Sequence, residues 1–237
     1  MREGASVGVV IPALDEERSI GEVIAEIPAW VDRVVVVDNG SRDRTAEVAR
    51  AAGAVVLKEA ERGYGAACQR GIRALGDARV IVFLDGDHSD HPDEMAKLVD
   101  PIVAGECRFV LGARRGAGVR PGALTPQQRF GNWLACRLMR LLWGTDYADL
   151  GPFRAIESEA LAALAMADRN YGWTIEMQIK AALAGLATRE VEVGYRPRIG
   201  RSKVSGTLKG TVMAGVKILG LIARFAATHG PRRARTA

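Results

Sequence analysis

Cysteine is scarce in this chain. Cys68, Cys107 and Cys136 lie far apart with no CxxC pair, so neither a zinc ribbon nor a paired-disulfide framework fits, and a reducing cytosol is the simplest compartment. No apolar run reaches the length of a membrane span without a charge, which argues against a spanning helix. The apolar stretch before Asp15 is too short for a signal peptide, so the expected location is cytoplasmic. Internal repeats and low-complexity segments are also lacking. Acid disappears altogether after Glu192, whereas ten of the 33 Lys and Arg lie beyond it. The first 192 residues therefore carry 23 basic against 28 acidic residues, and the net charge of +5 belongs to the C-terminal stretch. Such a tail calls for an anionic partner: a membrane surface, a phosphorylated substrate or nucleic acid.

What is present is ordinary globular material, 48 % hydrophobic and 26 % charged over 237 residues, enough for one large domain or two small ones. Short β-branched runs alternate with amphipathic stretches, the pattern of βαβ units in an α/β, mainly parallel sheet flanked by helices. Strands are predicted at 6–11, 33–38, 54–57, 79–84, 108–112 and 189–195. Helices are predicted near 17–27, 44–52, 65–75, 92–104, 127–143, 157–165 and 174–184, followed by an apolar helix at 207–227. The Gly- and Arg-rich stretch 112–125 reads as a mobile loop that orders over a ligand. Residues 231–237 read as a disordered tail.

Ligands of such sheets sit at the carboxyl ends of strands, and four of these ends read PALDEE (12–17), DNGSRDRT (38–45), ERGYGAA (61–67) and DGDHSD (85–90). Asp85 and Asp87 flank Gly86 after the apolar strand VIVFL. Paired carboxylates suit Mg²⁺ or Mn²⁺, which take one or two protein oxygens plus phosphate oxygens of a substrate. Asp38 closes another strand and is a candidate acceptor for a ribose or a base edge, while Ser41 or Asp43 can cap the following helix. Gly63 and Gly65 lack the third glycine of a dinucleotide fingerprint, Cys68 standing there; they read as points where backbone approaches a diphosphate or sugar. His88 and His91 leave open a mixed nitrogen and oxygen metal site. RPRIGRSK (196–203) sets four cations in eight residues beside the apolar helix, a candidate phosphate-binding loop.

In this order, VVIPALDEE, VVDNGSRDRT, GYGAACQRGI, FLDGDHSDHPDEM, the Arg-rich loop, DLGPFRAI, WTIEMQIKA and RIGRSKVSG resemble the family-2 inverting glycosyltransferases, in the dolichyl- or polyprenyl-phosphate mannosyl- or glucosyltransferase-like branch. The resemblance covers roughly residues 6–206. It implies a GT-A nucleotide-binding fold, a UDP- or GDP-linked sugar donor, a divalent metal and a lipid phosphate acceptor at the membrane. Residue by residue, Pro12, Leu14 and Glu16 would line the nucleotide pocket together with Asp38, Asn39, Gly63, Gly65, Asp85 and Gly86. Asp85 and Asp87 would hold the metal, with Ser89 standing where many relatives have a metal-supporting Gln. Arg114, Arg115, Arg196, Arg201 and Lys203 would meet phosphates of donor or acceptor. An ionised phosphate acceptor needs no strong base, whereas a hydroxyl does; Asp149 and Glu176 are the candidates, beside Asp87, for the catalytic carboxylates.

The implied organisation is a glycosyltransferase domain at 1–206, a helix at 207–230 that docks on an anionic membrane surface or packs on the domain, and the tail. Lys209, Lys217 and Arg224 share one narrow face of that helix, which suits peripheral attachment to the cytoplasmic face of the membrane. Self-association into a homo-oligomer is left open. A sugar nucleotidyltransferase and a metal-dependent phosphohydrolase built on DGDHSDH stand as alternatives. The basic tail lacks aromatic platforms and a recognition helix, so no specific nucleic acid is implied.

Overall fold

The computed structural model describes residues 1–200 and 208–230, with backbone only for 208–212. A seven-stranded sheet forms its centre. Strands β1 (Val7–Ala13), β2 (Arg33–Asp38), β3 (Val55–Lys58) and β4 (Val80–Phe83) are mutually parallel. They are followed by β5 (Phe109–Val119), β6 (Arg154–Glu157) and β7 (Thr188–Tyr195), in the spatial order β3-β2-β1-β4-β6-β5-β7. β6 pairs antiparallel with both β4 and β5. Its four residues, RAIE, are not legible as a separate strand because they run directly into a helix with no turn signal between.

Alternation along β1 explains the layering. Val7, Val9 and Ile11 face one apolar cluster, with α1 (Ile20–Ala25), α2 (Thr45–Ala51) and α4 (Ala96–Val103). Val10 faces the other, with α3 (Tyr64–Leu75), α6 (Ser158–Leu164) and α7 (Trp173–Ala184). This period-2 pattern with both faces covered is the signature of a buried sheet. α1 starts at Ile20 rather than Glu17, since residues 14–19 form the turn that closes over the end of β1. Pro92–Met95 is a 3₁₀ turn ahead of α4.

The stretch 112–125 is not a free loop. Its first half continues β5 and pairs with β7, Gly112 opposite Val191 and Arg114 opposite Val193, with an irregularity before Val119 pairs with Tyr195. The glycines there serve close strand approach: a Cβ on Gly118 would lie 3.0 Å from the Gly194 Cα. Thr125 then caps α5 (Pro126–Trp143) in a capping box, its Oγ1 accepting from the Gln128 N–H while the Gln128 Oε1 accepts from the Thr125 N–H.

α8 (Leu208–His229) packs on α5 and α7 through Leu221, Ile222 and Phe225 in a third apolar cluster. Its Lys217, though exposed, pairs with the buried Asp168 at 2.8 Å. Arg224 is exposed. The Lys209 side chain, Arg201, Lys203 and the tail at 231–237 lie outside the described residues. Among the described residues no helix is long and apolar enough to cross a membrane.

Candidate active site

The carboxyl ends of β1, β2 and β4 open onto a cavity of about 420 Å³. Of the residues expected at a nucleotide sugar, Pro12, Leu14, Glu16, Asn39, Gly63, Asp85 and Gly86 line it, together with Asp87 and Arg114. Asp38 and Gly65 are placed behind that lining, each with a structural task. The Asp38 Oδ1 accepts from the Ser41 N–H at 2.8 Å, closing the turn after β2. Ser41 in turn accepts from the Asp15 N–H through its Oγ, and Asp43, not Ser41, meets the head of α2 through the Thr45 N–H.

Gly63 and Gly65 are small for a reason internal to the chain. A Cβ on Gly63 would lie 2.1 Å from the Arg169 carbonyl oxygen and one on Gly65 would lie 2.0 Å from that of Asp168. The close approach is thus to the loop at 168–172, which presents Asn170 and Tyr171 to the cavity. Asn39 braces the same wall. Its Nδ2 donates to the carbonyls of Glu59 and Glu61, and its Oδ1 accepts from the Gly63 N–H at 2.8 Å. An aspartate there could not donate, so Asn39→Asp is expected to leave two carbonyls facing a carboxylate. That should cost about 2 kcal/mol and lower the thermal midpoint by roughly 4–8 °C in a calorimetric melt; an unchanged midpoint would refute the bracing role.

The DGD turn is held from below and from the side. Asp87 is buried, its Oδ1 accepting from the Ser89 N–H at 3.0 Å and from the Ser89 Oγ at 2.5 Å. The Ser89 hydroxyl is itself fully buried and directed at Asp87, so Ser89 orients the carboxylate rather than serving as a metal ligand. Arg196, expected at a phosphate, faces away from the cavity. Its guanidinium donates to the His88 carbonyl at 2.7 Å, the Asp90 carbonyl at 3.2 Å and Glu26 at 2.5 Å, while Glu26 also meets the His88 Nε2 at 2.9 Å. This knot fixes His88 in the left-handed region (φ 63°), a strained position that a packed surrounding must enforce. His91 packs against Gly194 near Asp93. Neither histidine joins the carboxylates, and among the described residues no three His, Cys, Asp or Glu side chains converge to hold a metal unaided.

The donor set fits a hard divalent cation that draws its remaining ligands from a substrate. The Asp85 Oδ1 and the Asp90 Oδ1 are buried without a hydrogen-bond partner. Burial, and then the charge of Asp87, push the Asp85 carboxyl up from its ordinary value; burial followed by the charges of Asp85 and Asp87 does the same to Asp90. Carboxylates crowded at and behind a cavity wall favour the approach of a cation. Asp85 and Asp87, on the cavity side, are the residues that would hold it.

Glycosyl transferase family 2 matches residues 8–164. The chain belongs to this family. It is 38 % identical over 213 residues to an uncharacterised glycosyltransferase of Mycobacterium tuberculosis, covering 89 % of this chain and 95 % of that one. It is 34 % identical over 204 residues to a dolichyl-phosphate hexose transferase of Haloferax volcanii, covering 84 % and 86 %. Among solved structures, glucosyl-3-phosphoglycerate synthase of M. tuberculosis in complex with Mn²⁺, UDP and glucosyl-3-phosphoglycerate aligns with a TM-score of 0.73 at 26 % identity, over 98 % of this chain and 82 % of that one. The fold is that of the GT-A glycosyltransferases, and the chain is a glycosyltransferase.

In this family-2 glycosyltransferase a second cavity of about 780 Å³ adjoins the first, sharing Arg114 and Gln128 with it. Arg115, Arg129, Arg137 and Arg140 line it, with Trp133 at its edge. Arg114 stands at the junction, its guanidinium 5.0 Å over the Tyr195 ring and held by two nitrogens on Asp149, at 2.7 and 2.8 Å. Asp149 also accepts from the N–H groups of Arg114 and Leu150. Burial alone would raise its pKa, but the Arg114 charge and these bonds outweigh it and hold the carboxyl below its usual range. Asp149 is therefore occupied as the support of Arg114 and not poised as a base. Glu176 is no nearer the chemistry: fully buried, it accepts from the Ala167 and Asp168 N–H groups and pairs with Lys180 at 2.9 Å.

Sequence reasoning passed over Arg198, Asn170, Tyr171 and Tyr195, all of which line the first cavity. Asn170 and Tyr171 sit in a loop whose composition says nothing of its destination. Arg198 lay inside the cationic run, two residues beyond Arg196. Side chains two apart in an extended segment share a side, so the spacing gives no reason to separate Arg196 from Arg198; only their pairing does.

Proposed function

We propose that this glycosyltransferase moves a hexosyl group, with inversion, from a UDP- or GDP-linked sugar to a phosphate-bearing acceptor, most simply a polyprenyl phosphate at an anionic membrane surface. A divalent cation, Mg²⁺ or Mn²⁺, held by Asp85 and Asp87 would act as a Lewis acid on the departing diphosphate. Arg114, at the junction of the cavities, is positioned to meet charge from either substrate, and the arginine-lined cavity supplies the electrostatic preference for an acidic acceptor.

The observation that carries the choice of acceptor is the state of Asp149 and Glu176. Both candidate bases are engaged in structural bonds, so an acceptor that arrives already ionised suits the site better than a hydroxyl that must lose a proton. The dolichyl-phosphate hexose transferase among the relatives supports the same reading. Attachment to the cytoplasmic face of a membrane is supported by the exposed Phe130, Trp133 and Leu141 of α5 and the exposed Met213, Val216 and Leu219 of the adjoining α8, with cationic Arg129, Arg137 and Arg140 among the former. A soluble phosphorylated acceptor is the second reading, favoured by the glucosyl-3-phosphoglycerate synthase likeness.

The test is a radiolabelled transfer assay with UDP- and GDP-hexoses and Mn²⁺, offering polyprenyl phosphate in anionic vesicles or 3-phosphoglycerate in solution. The expected product partitions into organic solvent, and the enzyme co-sediments with the vesicles. Label found only in a water-soluble glycosyl phosphoglycerate would replace the lipid reading with the second one, and inorganic phosphate without a glycosylated product would refute both.

A further inference from the structure

Asp87 has one oxygen filled by Ser89, and at the other, Oδ2, stands the Arg198 Nη1 at 2.7 Å. A guanidinium thus occupies the carboxylate on the cavity side, where a metal ligand would have to be free. Resting on the reading of Asp85 and Asp87 as the metal site, we propose that Arg198 is an internal counter-cation that competes with the divalent ion, holding Asp87 until a nucleotide diphosphate draws it away.

Three observations set Arg198 apart from its neighbours. Its backbone surroundings are fixed, because the Arg196 N–H donates to the Ser89 carbonyl and the Ile199 N–H to the Asp87 carbonyl, both at 2.9 Å. Movement is therefore left to the side chain. That side chain is 28 % exposed and lines the donor cavity, so it has room to turn. Arg114 and Arg196, in contrast, are each bound through two nitrogens to partners on other elements. The need for an internal cation is also visible: Asp85 and Asp90 present buried, unpartnered oxygens beside Asp87, and three crowded carboxylates are unstable without positive charge.

Two cations in contact with one carboxylate repel each other, so a divalent ion entering alone must displace Arg198 towards the remaining carboxylates of the cavity, Glu16 and Asp85, of which Asp85 is itself a ligand of the ion. A diphosphate entering with the metal supplies a further anion, and guanidinium–phosphate pairing is strong and directional. Metal and nucleotide then bind with positive coupling, reciprocal by thermodynamic necessity. The arrangement keeps the metal site closed to free ions and opens it only to the metal–nucleotide pair.

The experiment measures Mn²⁺ binding by the loss of the free-ion electron paramagnetic resonance signal, with and without UDP, in the full chain and in Arg198→Gln, Arg198→Lys and Asp87→Asn. Without UDP, Arg198→Gln is expected to bind Mn²⁺ about tenfold more tightly than wild type, while its Mn²⁺–UDP coupling falls by a similar factor, within the usual range of coupling between sites. Arg198→Lys, which keeps the charge, should stay near wild type, and circular dichroism establishes that each variant is folded. If Asp87→Asn abolishes Mn²⁺ binding but Arg198→Gln binds Mn²⁺ no better than wild type, the counter-cation is refuted and the metal site stands. If wild type and Asp87→Asn bind Mn²⁺ alike even with UDP, the metal-site reading fails and the proposal with it.

Discussion

Asp87→Asn is expected to lower hexosyl transfer by about a thousandfold. A metal acting as a Lewis acid contributes several kcal/mol to the stabilisation of a leaving diphosphate, and about 4 kcal/mol corresponds to that factor. The substitution keeps an oxygen for the Ser89 N–H and Oγ but removes the charge that a divalent ion requires. Stability should fall less than for a sealed ion pair, because Arg198 is 28 % exposed and can turn to water when its partner is lost. A melt shifted by only a few degrees, beside a collapse of turnover, would separate the chemical role from a structural one. EDTA should bring wild type down to the level of the variant and leave the variant unaffected. Turnover of Asp87→Asn equal to wild type, with neither lowered by EDTA, would remove the metal from the mechanism.

The parts of the fold legible in the sequence were those governed by local period. β1, β2 and β4 are apolar runs ending in polar loops, and their ends could be read as a binding edge because parallel strands direct their carboxyl ends to one side. β6 and the far half of β5 were not legible, since both depend on strands distant in sequence: Arg154 opposite Phe83, Val119 opposite Tyr195. The glycine- and arginine-rich stretch looked like a loop because composition reports conformational freedom, not the partner that removes it. In the same way the cationic residues were visible as charges, but only the structure assigns Arg196 to Glu26, Arg198 to Asp87 and Lys217 to Asp168. Residue type named the chemistry available at the site. Long-range pairing decided which side chains were free to perform it.

That distinction is sharpest at Asp149, where Asp149→Asn is expected to destabilise the fold by about 3–5 kcal/mol at neutral pH, the usual consequence of leaving one member of a buried pair uncompensated. The side chains of Arg114 and Asp149 are only 12 % and 4 % exposed, and the amide would set a donor against a guanidinium that already donates. The pH dependence follows from the sign of the shift. Burial raises the Asp149 pKa, Arg114 and the hydrogen bonds lower it by more, and the folded value ends below the ordinary one. Its contribution is thus complete above the unfolded carboxyl value near 3.9 and is lost as pH falls from there through the lower folded value. Urea unfolding of wild type and variant, followed from pH 7 downward, should give a constant gap to about pH 5 that narrows only below about pH 4. Detachment of Arg114 from the junction of the two cavities should also weaken transfer without abolishing metal binding. A gap that closes already between pH 7 and pH 5 would mean that Asp149 takes up a proton near neutrality, as a general base does. The ion pair would then not be what holds it, and a hydroxyl acceptor would regain the advantage over a phosphate.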